Sequence, residues 1–409
     1  MTDPTCDIAG CVARYAARLH AAIGDSHHVA SPLGAWLLLA LAAPASTGAD
    51  RAALTEVLGC DADAAAAAAA RLLAAPHPEV ASAAAVWTAP LAPLAPLADE
   101  FRRWRSGLPP EVATGDLPDQ AGLDAWAREA TLGLIESFPV QRTPDLYLVL
   151  ATALATRVSW QMPFDLAPAA ELGSASPWSR QLTQVLRTPR GSRTGHRQFI
   201  AATAGAGGVA VHVAAARRGL LVCSVAADPA VPSGPVLAAA HEIGCAQAVA
   251  APVRERALAD LPLGDGLAWE VRAEPGAGPD ECTAVLPAWA ARSRHDLSEP
   301  GLGFAAAKHA LAPGPDPWEA AQAAMARYSR TGFEAAAVTA VAAFMAAPAP
   351  RRDRRVAELR FGHPYAVVAV ALGGDGPGPP GQPDYGAWHG VPVFSAWVAQ
   401  PQDAGDGPA

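Results

Sequence analysis

Between residues 7 and 23 the apolar positions recur in steps of three and four. Ile8, Val12, Tyr15, Ala16, Leu19 and Ile23 share one face, with Arg14 and Arg18 opposite, which predicts an amphipathic helix. Ser31-Pro32 has the form of a helix start, serine as cap and proline in the first turn, and the stretch LGAWLLLALAA that follows is apolar all round, so a buried helix is predicted. Residues 50–58 predict a helix stopped at Gly59, 64–75 an alanine-rich helix and 121–135 another. From Glu79 the texture changes to short alternating pieces. Residues 147–160 (YLVLATALATRVSW) predict a buried strand, and further strands are predicted over 208–214, 220–226, 267–273, 365–372 and 391–399. Gly/Pro-rich breaks separate them, most clearly 373–383. Helices crowd the first third and strands the rest, which predicts an α+β fold with antiparallel sheets rather than alternating βαβ units. No break carries a composition shift, so a single domain over 1–409 is expected.

Composition narrows the function more than the fold. The chain has 409 residues and an apolar fraction of 51% with only 6% aromatics, so a large aliphatic core is expected, rich in alanine. Thirty-nine acidic and 30 basic residues give a net charge of −9, with no basic patch that would call for nucleic acid. Lys308 is the only lysine, which excludes a G-x-x-x-x-G-K-[ST] phosphate loop and leaves one Schiff-base amine. The start MTDPTCDIAG lacks the form of an export signal, and the apolar run 35–43 is about half a membrane span. A soluble protein is expected, cytoplasmic by default and without a membrane partner. Cysteines 6, 11, 60, 223, 245 and 282 show no regular spacing, so reduced, mostly buried thiols are expected.

Candidate chemistry is sparse. No G-x-S-x-G and no H-E-x-x-H occurs; His241 and Cys245 would lie one helical turn apart but lack a third ligand. His27-His28 reads as a loop before Ser31, and Gly205–Gly208 as a turn between strands. No catalytic residue, metal or cofactor is expected, and the protein is not read as an enzyme. One segment stands apart. Residues 331–350, TGFEAAAVTAVAAFMAAPAP, would permit a helix through their alanines and a strand through Val338, Thr339 and Val341, until Pro348 and Pro350 stop either. If extended, one face carries Phe333, Ala335, Ala337, Thr339, Val341 and Ala343. Beyond Phe333 nothing on that face is bulky or charged enough to resist sliding between two strands.

At this segment the chain resembles the serpins. Gly332, Glu334, Ala335, Ala336, Ala337 and Thr339 match the proximal hinge of that family's reactive loop. HPYAVVAVA (363–371) resembles its R-P-F strand, and GVPVFSAWVAQP (390–401) its closing P-x-F-x-G-x-V-x-x-P strand, with Pro392, Phe394, Val398 and Pro401 in register and Ala396 in place of the glycine. Residues 29–59 are similar to the S-P-L helix and the helix after it, and Trp126, Thr131, Gly133 and Ile135 match W-x-x-x-x-T-x-G-x-I. Residues 148–165 resemble the long strand ending in W-x-x-x-F, carrying Trp160 and Phe164, and 286–303 follow the L-P-x-F segment. The seven motifs stand in family order across nearly the whole chain.

The resemblance implies a fold of about three antiparallel or mixed sheets and about nine helices, with a reactive-centre loop over about 332–358. It implies suicide inhibition of a serine protease by a monomer: the loop is attacked as substrate, and before the acyl-enzyme hydrolyses the hinge inserts as a new strand. Family spacing from Gly332 places the scissile bond near Ala346-Ala347, within a candidate region Phe344, Met345, Ala346 and Ala347. Small residues there suit an elastase- or subtilisin-like enzyme, Phe344 or Met345 a chymotrypsin-like one, and the Arg351–Arg355 cluster a trypsin-like one. Ser31, Thr152, Trp160 and Gln322 take the positions that hold the large sheet closed, with Thr152 and Gln322 able to hydrogen-bond as a pair. Arg330 replaces the family's glutamate at the end of the strand before the hinge. Phe333 stands where the family has Thr or Ser, and overpacking of about 1–3 kcal/mol is expected as it enters the sheet. The family also includes non-inhibitory binding proteins whose loop is a plain substrate, and members that work outside cells.

Overall fold

A computed structural model describes residues 6–89, 98–189, 195–276, 279–313, 318–333, 352–373 and 385–404. The expected α+β architecture is present, with eight α-helices and four hydrogen-bonded sheets among the described residues. Helices α1 (Ile8–Ile23), α2 (Pro32–Ala42), α3 (Gly48–Leu58) and α4 (Ala62–Ala74) come first. Then follow α5 (Ala98–Ser106), α6 (Gln120–Ala130), α7 (Ser233–Ala248) and α8 (Phe304–Leu311). Ser31 caps α2 as expected, its Oγ accepting from Gly34 N at 3.2 Å, and α2 is buried on nearly every side. Helix α6 is shorter than its sequence suggested. Thr131 folds back, Oγ1 donating to Ala127 O at 2.6 Å and accepting from Ile135 N at 2.9 Å, and Leu132 and Gly133 take positive φ of 55° and 80°.

One six-stranded sheet has the order β1 (His28–Ala30), β19 (Pro392–Val398), β18 (Tyr365–Ala371), β10 (Leu220–Ala226), β9 (Gly207–Ala215), β8 (His196–Thr203). A second runs β11 (Gly264–Asp265), β12 (Trp269–Gly276), β17 (Arg352–Arg360), β13 (Glu281–Leu286), β7 (Gln184–Arg187), β6 (Asp165–Pro168). A four-stranded sheet has the order β14 (Trp289–Asp296), β15 (Ala321–Tyr328), β16 (Gly332–Phe333), β5 (Val158–Ser159), and a three-stranded one β3 (Val112–Asp116), β2 (Val80–Thr88), β4 (Leu148–Thr156). The strand expected over 147–160 is therefore two, broken at Arg157, and belongs to both smaller sheets.

Three findings correct the sequence reading here. His28 is not in a loop but in β1, buried and paired with Trp397 of β19. Cys6 and Cys60, 54 residues apart, form a disulfide, while Cys11, Cys223, Cys245 and Cys282 are free thiols. The loop expected over 332–358 begins and ends in strands, because Gly332–Phe333 and Arg352–Arg360 are both paired.

The main core joins α1 to α4 to the inner faces of the sheets, with Trp36, Trp160, Trp289, Tyr328 and Phe164 fully buried in it. A second core lies between α7 and the first six-stranded sheet, through Val236, Ile243, Val368 and Val370. A third packs α6 on β2 and β4 through Leu123, Ala127, Trp87 and Ala151.

Candidate functional site

Among the described residues, strand β15 has a full-length neighbour on one side only. It pairs with β14 over its whole length, from Ala321 opposite Asp296 to Tyr328 opposite Trp289. On the other side its strand partner among the described residues is Phe333, opposite Tyr328 at the upper end. Gly332 and Phe333 in turn face Ser159 and Val158 of β5. Below Phe333 no ladder joins β15 to β4 among the described residues. A slot of about 520 Å³ occupies that interval, lined by β4, by β15, by α2 and α8 beneath, and by Phe333 at its top. It is apolar and shallow-sided because the strands that flank it carry small residues, Ala324 and Ala326 on β15 and Ala151, Ala153 and Ala155 on β4. Leu150 and Leu154 of β4 pack against the main core yet stay only partly buried, and both line the slot.

The upper end is tied down by aromatic packing and backbone bonds. Trp160 is fully buried; its N donates to Thr331 O at 3.0 Å and its Nε1 to Ser329 O at 2.9 Å, and its ring lies 5.0 Å from Tyr328. Arg330, which replaces the family's acid, bonds Phe164 twice: its Nε donates to Phe164 O at 3.0 Å and its carbonyl accepts from Phe164 N at 3.0 Å. Phe333 enters this end without displacing its neighbours. It is 3% exposed, and its ring meets Trp289 edge-on at 6.3 Å.

The middle is held from below by the start of α2. Gln322 clasps Ser31, its Oε1 accepting from Ser31 N and its Nε2 donating to Ser31 O, both at 2.9 Å. Ser31 Oγ donates to Val393 O of β19 at 2.9 Å. Thr152 does not pair with Gln322 but donates to Gly34 O at 2.7 Å. The two residues therefore grip the same helix end from opposite walls of the slot, Thr152 from β4 and Gln322 from β15.

Neutral histidines stand behind both ends, a feature the sequence does not display because its members come from distant segments. His295 of β14 is opposite Gln322 and donates to Val29 O at 2.7 Å. Beside it His28 Nδ1 donates to Ser26 O at 2.7 Å, so its Nε2 must accept from His20 Nδ1 at 2.7 Å, and His20 Nε2 accepts from Ser395 Oγ at 2.6 Å. Burial lowers all three, His28 to about 4, and likewise His241 of α7, whose ring lies 6.3 Å from that of His20. At the upper end His196 donates to Met162 O at 2.7 Å and accepts from His212 at 3.0 Å, with Phe164 packed on both rings. Burial lowers His196 to about 4.

Glu334, Ala335, Ala336, Ala337 and Thr339 of the hinge, and Phe344, Met345, Ala346 and Ala347 of the candidate scissile region, lie outside the described residues. Of the Arg351–Arg355 cluster, the structure describes the side chains of Arg354 and Arg355. Arg354 and Arg355 belong to β17: Arg354 pairs with Glu274 and Glu281, and Arg355 Nη1 donates to Leu258 O at 2.9 Å. Side chains engaged in a sheet are not presented to a protease.

No family model matches the chain, and no curated protein matches it by sequence. Solved structures do. Thyroxine-binding globulin in complex with thyroxine is 13% identical with a TM-score of 0.61, over 97% of this chain and 100% of that one. Serpin48, a highly specific serpin of the insect Tenebrio molitor, is 14% identical with a TM-score of 0.59, over 98% and 100%. The thermophilic serpin Tengpin in its native state is 12% identical with a TM-score of 0.62, over 98% and 96%. The chain has the serpin fold.

Proposed function

We propose that this serpin-fold chain inhibits a serine protease by surrendering its loop as substrate and then inserting the hinge into the slot between β4 and β15. The observation that carries this reading is the slot itself, between β4 and β15, with Gly332–Phe333 paired at its top. Continuing the antiparallel register of Phe333 with Tyr328 sets Ala335 opposite Ala326, Ala337 opposite Ala324 and Thr339 opposite Gln322. Continuing the register with β5 brings Thr339 level with Thr152. Thr339 would thus enter between the two residues that grip α2, a place for a small hydroxyl and for nothing larger.

The protease serine attacks a carbonyl in the region Phe344–Ala347, forming an ester and releasing the C-terminal side of the loop. The freed hinge then adds a strand. β15 offers 8 residues for pairing, and at about 1 kcal/mol per net hydrogen bond, plus burial of Leu150 and Leu154, insertion gains several kcal/mol. That gain drives the acylated protease away from its working geometry before water completes the cycle. Partners of this chemistry have small or medium apolar primary pockets, as in elastase-, subtilisin- or chymotrypsin-like enzymes.

Incubation with elastase, subtilisin and chymotrypsin, read on denaturing gels, tests the reading. A covalent adduct larger than either protein is the expected result; loop cleavage by every enzyme with no adduct overturns it.

A further inference from the structure

Away from the slot, three sulfurs meet where α1 begins and α3 ends. Cys6 stands just before Asp7, the cap of α1, and Cys11 lies in the first turns, its Sγ 3.5 Å from Cys6 Sγ and itself 1% exposed. Helix α3 ends on Gly59 with φ 74°, a left-handed turn that swings Cys60 onto α1, where it bridges to Cys6. The ligand atoms of Cys6, Cys11 and Cys60 all lie within 4.8 Å of one another. Arg14 closes the cluster. Its Nη2 donates to Cys11 Sγ and to Gly59 O, each at 3.2 Å, and a Cβ added at Gly59 would come within 3.0 Å of the guanidinium.

A staple between α1 and α3 needs two cysteines, so the third sulfur and its cation call for another explanation. A guanidinium N–H aimed at a buried sulfur stabilises the thiolate, which burial alone opposes. Zinc bound tetrahedrally at about 2.3 Å from each sulfur would hold the sulfurs about 3.8 Å apart, close to the spacing already present between Cys6 and Cys11. Three thiolates and a divalent ion leave one negative charge, which Arg14 offsets, as the N–H groups around ligating sulfurs do in metal sites.

We propose that Cys6, Cys11 and Cys60, once the Cys6–Cys60 bridge is reduced, form a three-thiolate zinc site with Arg14 as its charge partner. An external dithiol supplies the two electrons: its own sulfurs become a disulfide while Cys6 and Cys60 are released as thiols. Zinc then displaces three protons, one from each cysteine. The fourth position opens beside Cys6, the least enclosed of the three with Cys60. The junction of α1 with α3 is thereby held by a disulfide under oxidising conditions and by the metal under reducing ones.

The test uses the full chain, reduced and freed of reductant, titrated with Co²⁺ and then with Zn²⁺. One equivalent of cobalt with sulfur-to-metal charge-transfer absorption, abolished by zinc, is expected of the reduced protein and none of the oxidised. Cys6→Ser, at a partly buried position outside the helix, and Cys11→Ser should each weaken binding by more than about 100-fold, and Arg14→Gln by about 10–100-fold. Cys245→Ser should leave binding unchanged. Absence of the charge-transfer band in reduced wild type, equal binding by the oxidised protein, or a band that survives Cys6→Ser overturns the site.

Discussion

Strands β15 and β18 are written in nearly the same alphabet and behave differently. β18, YAVVAVA, is buried at every position, paired on both sides with β10 and β19 and covered by α7 on one face and the main core on the other. β15, AQAAMARY, buries only Ala324, Ala326 and Tyr328 and, among the described residues, has no ladder on one edge below Phe333. In β18 each alanine stands between larger residues of its neighbours and is simply the residue that fits. In β15 the alanines border the slot, where the proposed insertion would seat the segment after Gly332. Small residues thus close-pack one sheet and border an interval without a ladder among the described residues in the other, and what decides is the neighbour rather than the composition.

The largest way to break this contrast is to fill the open edge or to forbid its filling. Cleavage of the loop by any protease that cuts between Phe344 and Ala347 should let the hinge insert and raise the melting temperature by roughly 10 °C, for a gain of several kcal/mol. Thr339→Arg would set a charge between Thr152 and Gln322, where it has no partner. Its expected effect is to abolish the rise on nicking and cut the fraction of protease trapped as adduct at least tenfold, an outcome that needs only about 1.4 kcal/mol against insertion. A Thr339→Arg protein that still traps protease would place the inserting register elsewhere.

Acid acts on the same region from behind, by a few kcal/mol. His28, His20 and Ser395 form a chain of donors and acceptors that works only with neutral rings; a proton on His28 Nε2 would meet the N–H of His20. The groups facing this chain are His20 on α1, Asp25 and His27 beside β1, His241 on α7 and His295 on β14. Burial lowers the folded pKa of His28 and His241 to about 4, below the unfolded value near 6.5. The stabilisation is therefore complete above about pH 6.5 and lost as pH falls toward 4. Urea unfolding between pH 7 and pH 4.5 should show the loss, and His28→Gln together with His241→Leu should flatten the slope across that interval.

Much of the fold was legible from periodicity and caps, whereas the slot was not, because it is made by β4, β15, α2 and α8 together. Helices α1, α2 and α3 fall within a few residues of their expected bounds, because amphipathic spacing and Gly59 are local signals. α5, α7 and α8 were not legible; α7 is apolar on nearly every face, so no stripe announces it. The pairing of Thr152 with Gln322 was misread because the sequence shows two complementary side chains but not the helix end that lies between them. The histidine chain and the three sulfurs were invisible for a related reason. Each unites residues from segments tens to hundreds of positions apart, and no spacing rule reaches that far. Arg354 and Arg355 illustrate the converse: a conspicuous cluster whose meaning is fixed by carboxylates and carbonyls elsewhere in the sheet.

Gln322 tests the clasp at moderate scale. Gln322→Ala deletes both bonds to the Ser31 backbone, leaving the buried N–H unsatisfied while the carbonyl keeps Ala35 N at 3.3 Å, so a loss of about 1–3 kcal/mol is expected in chemical denaturation. The same variant should insert its hinge more readily, because β15 is then released from α2.

The smallest and sharpest experiment sets one substitution against itself in the two strands. Ala369 of β18 is 1% exposed and enclosed on all sides, so Ala369→Leu overpacks and should cost about 1–3 kcal/mol. Ala324 of β15 is equally buried by its own accounting, 3% exposed, but it borders the slot. There the added methyl groups have room, and Ala324→Leu should be neutral or stabilising by about 0.5–1 kcal/mol. The gain comes at the expense of the position that Ala337 would occupy opposite it, so protease trapping should fall even as the uncleaved protein melts higher. Equal destabilisation by the two leucines would mean that the interval between β4 and β15 is closed in solution, and that alanine does the same work in both sheets.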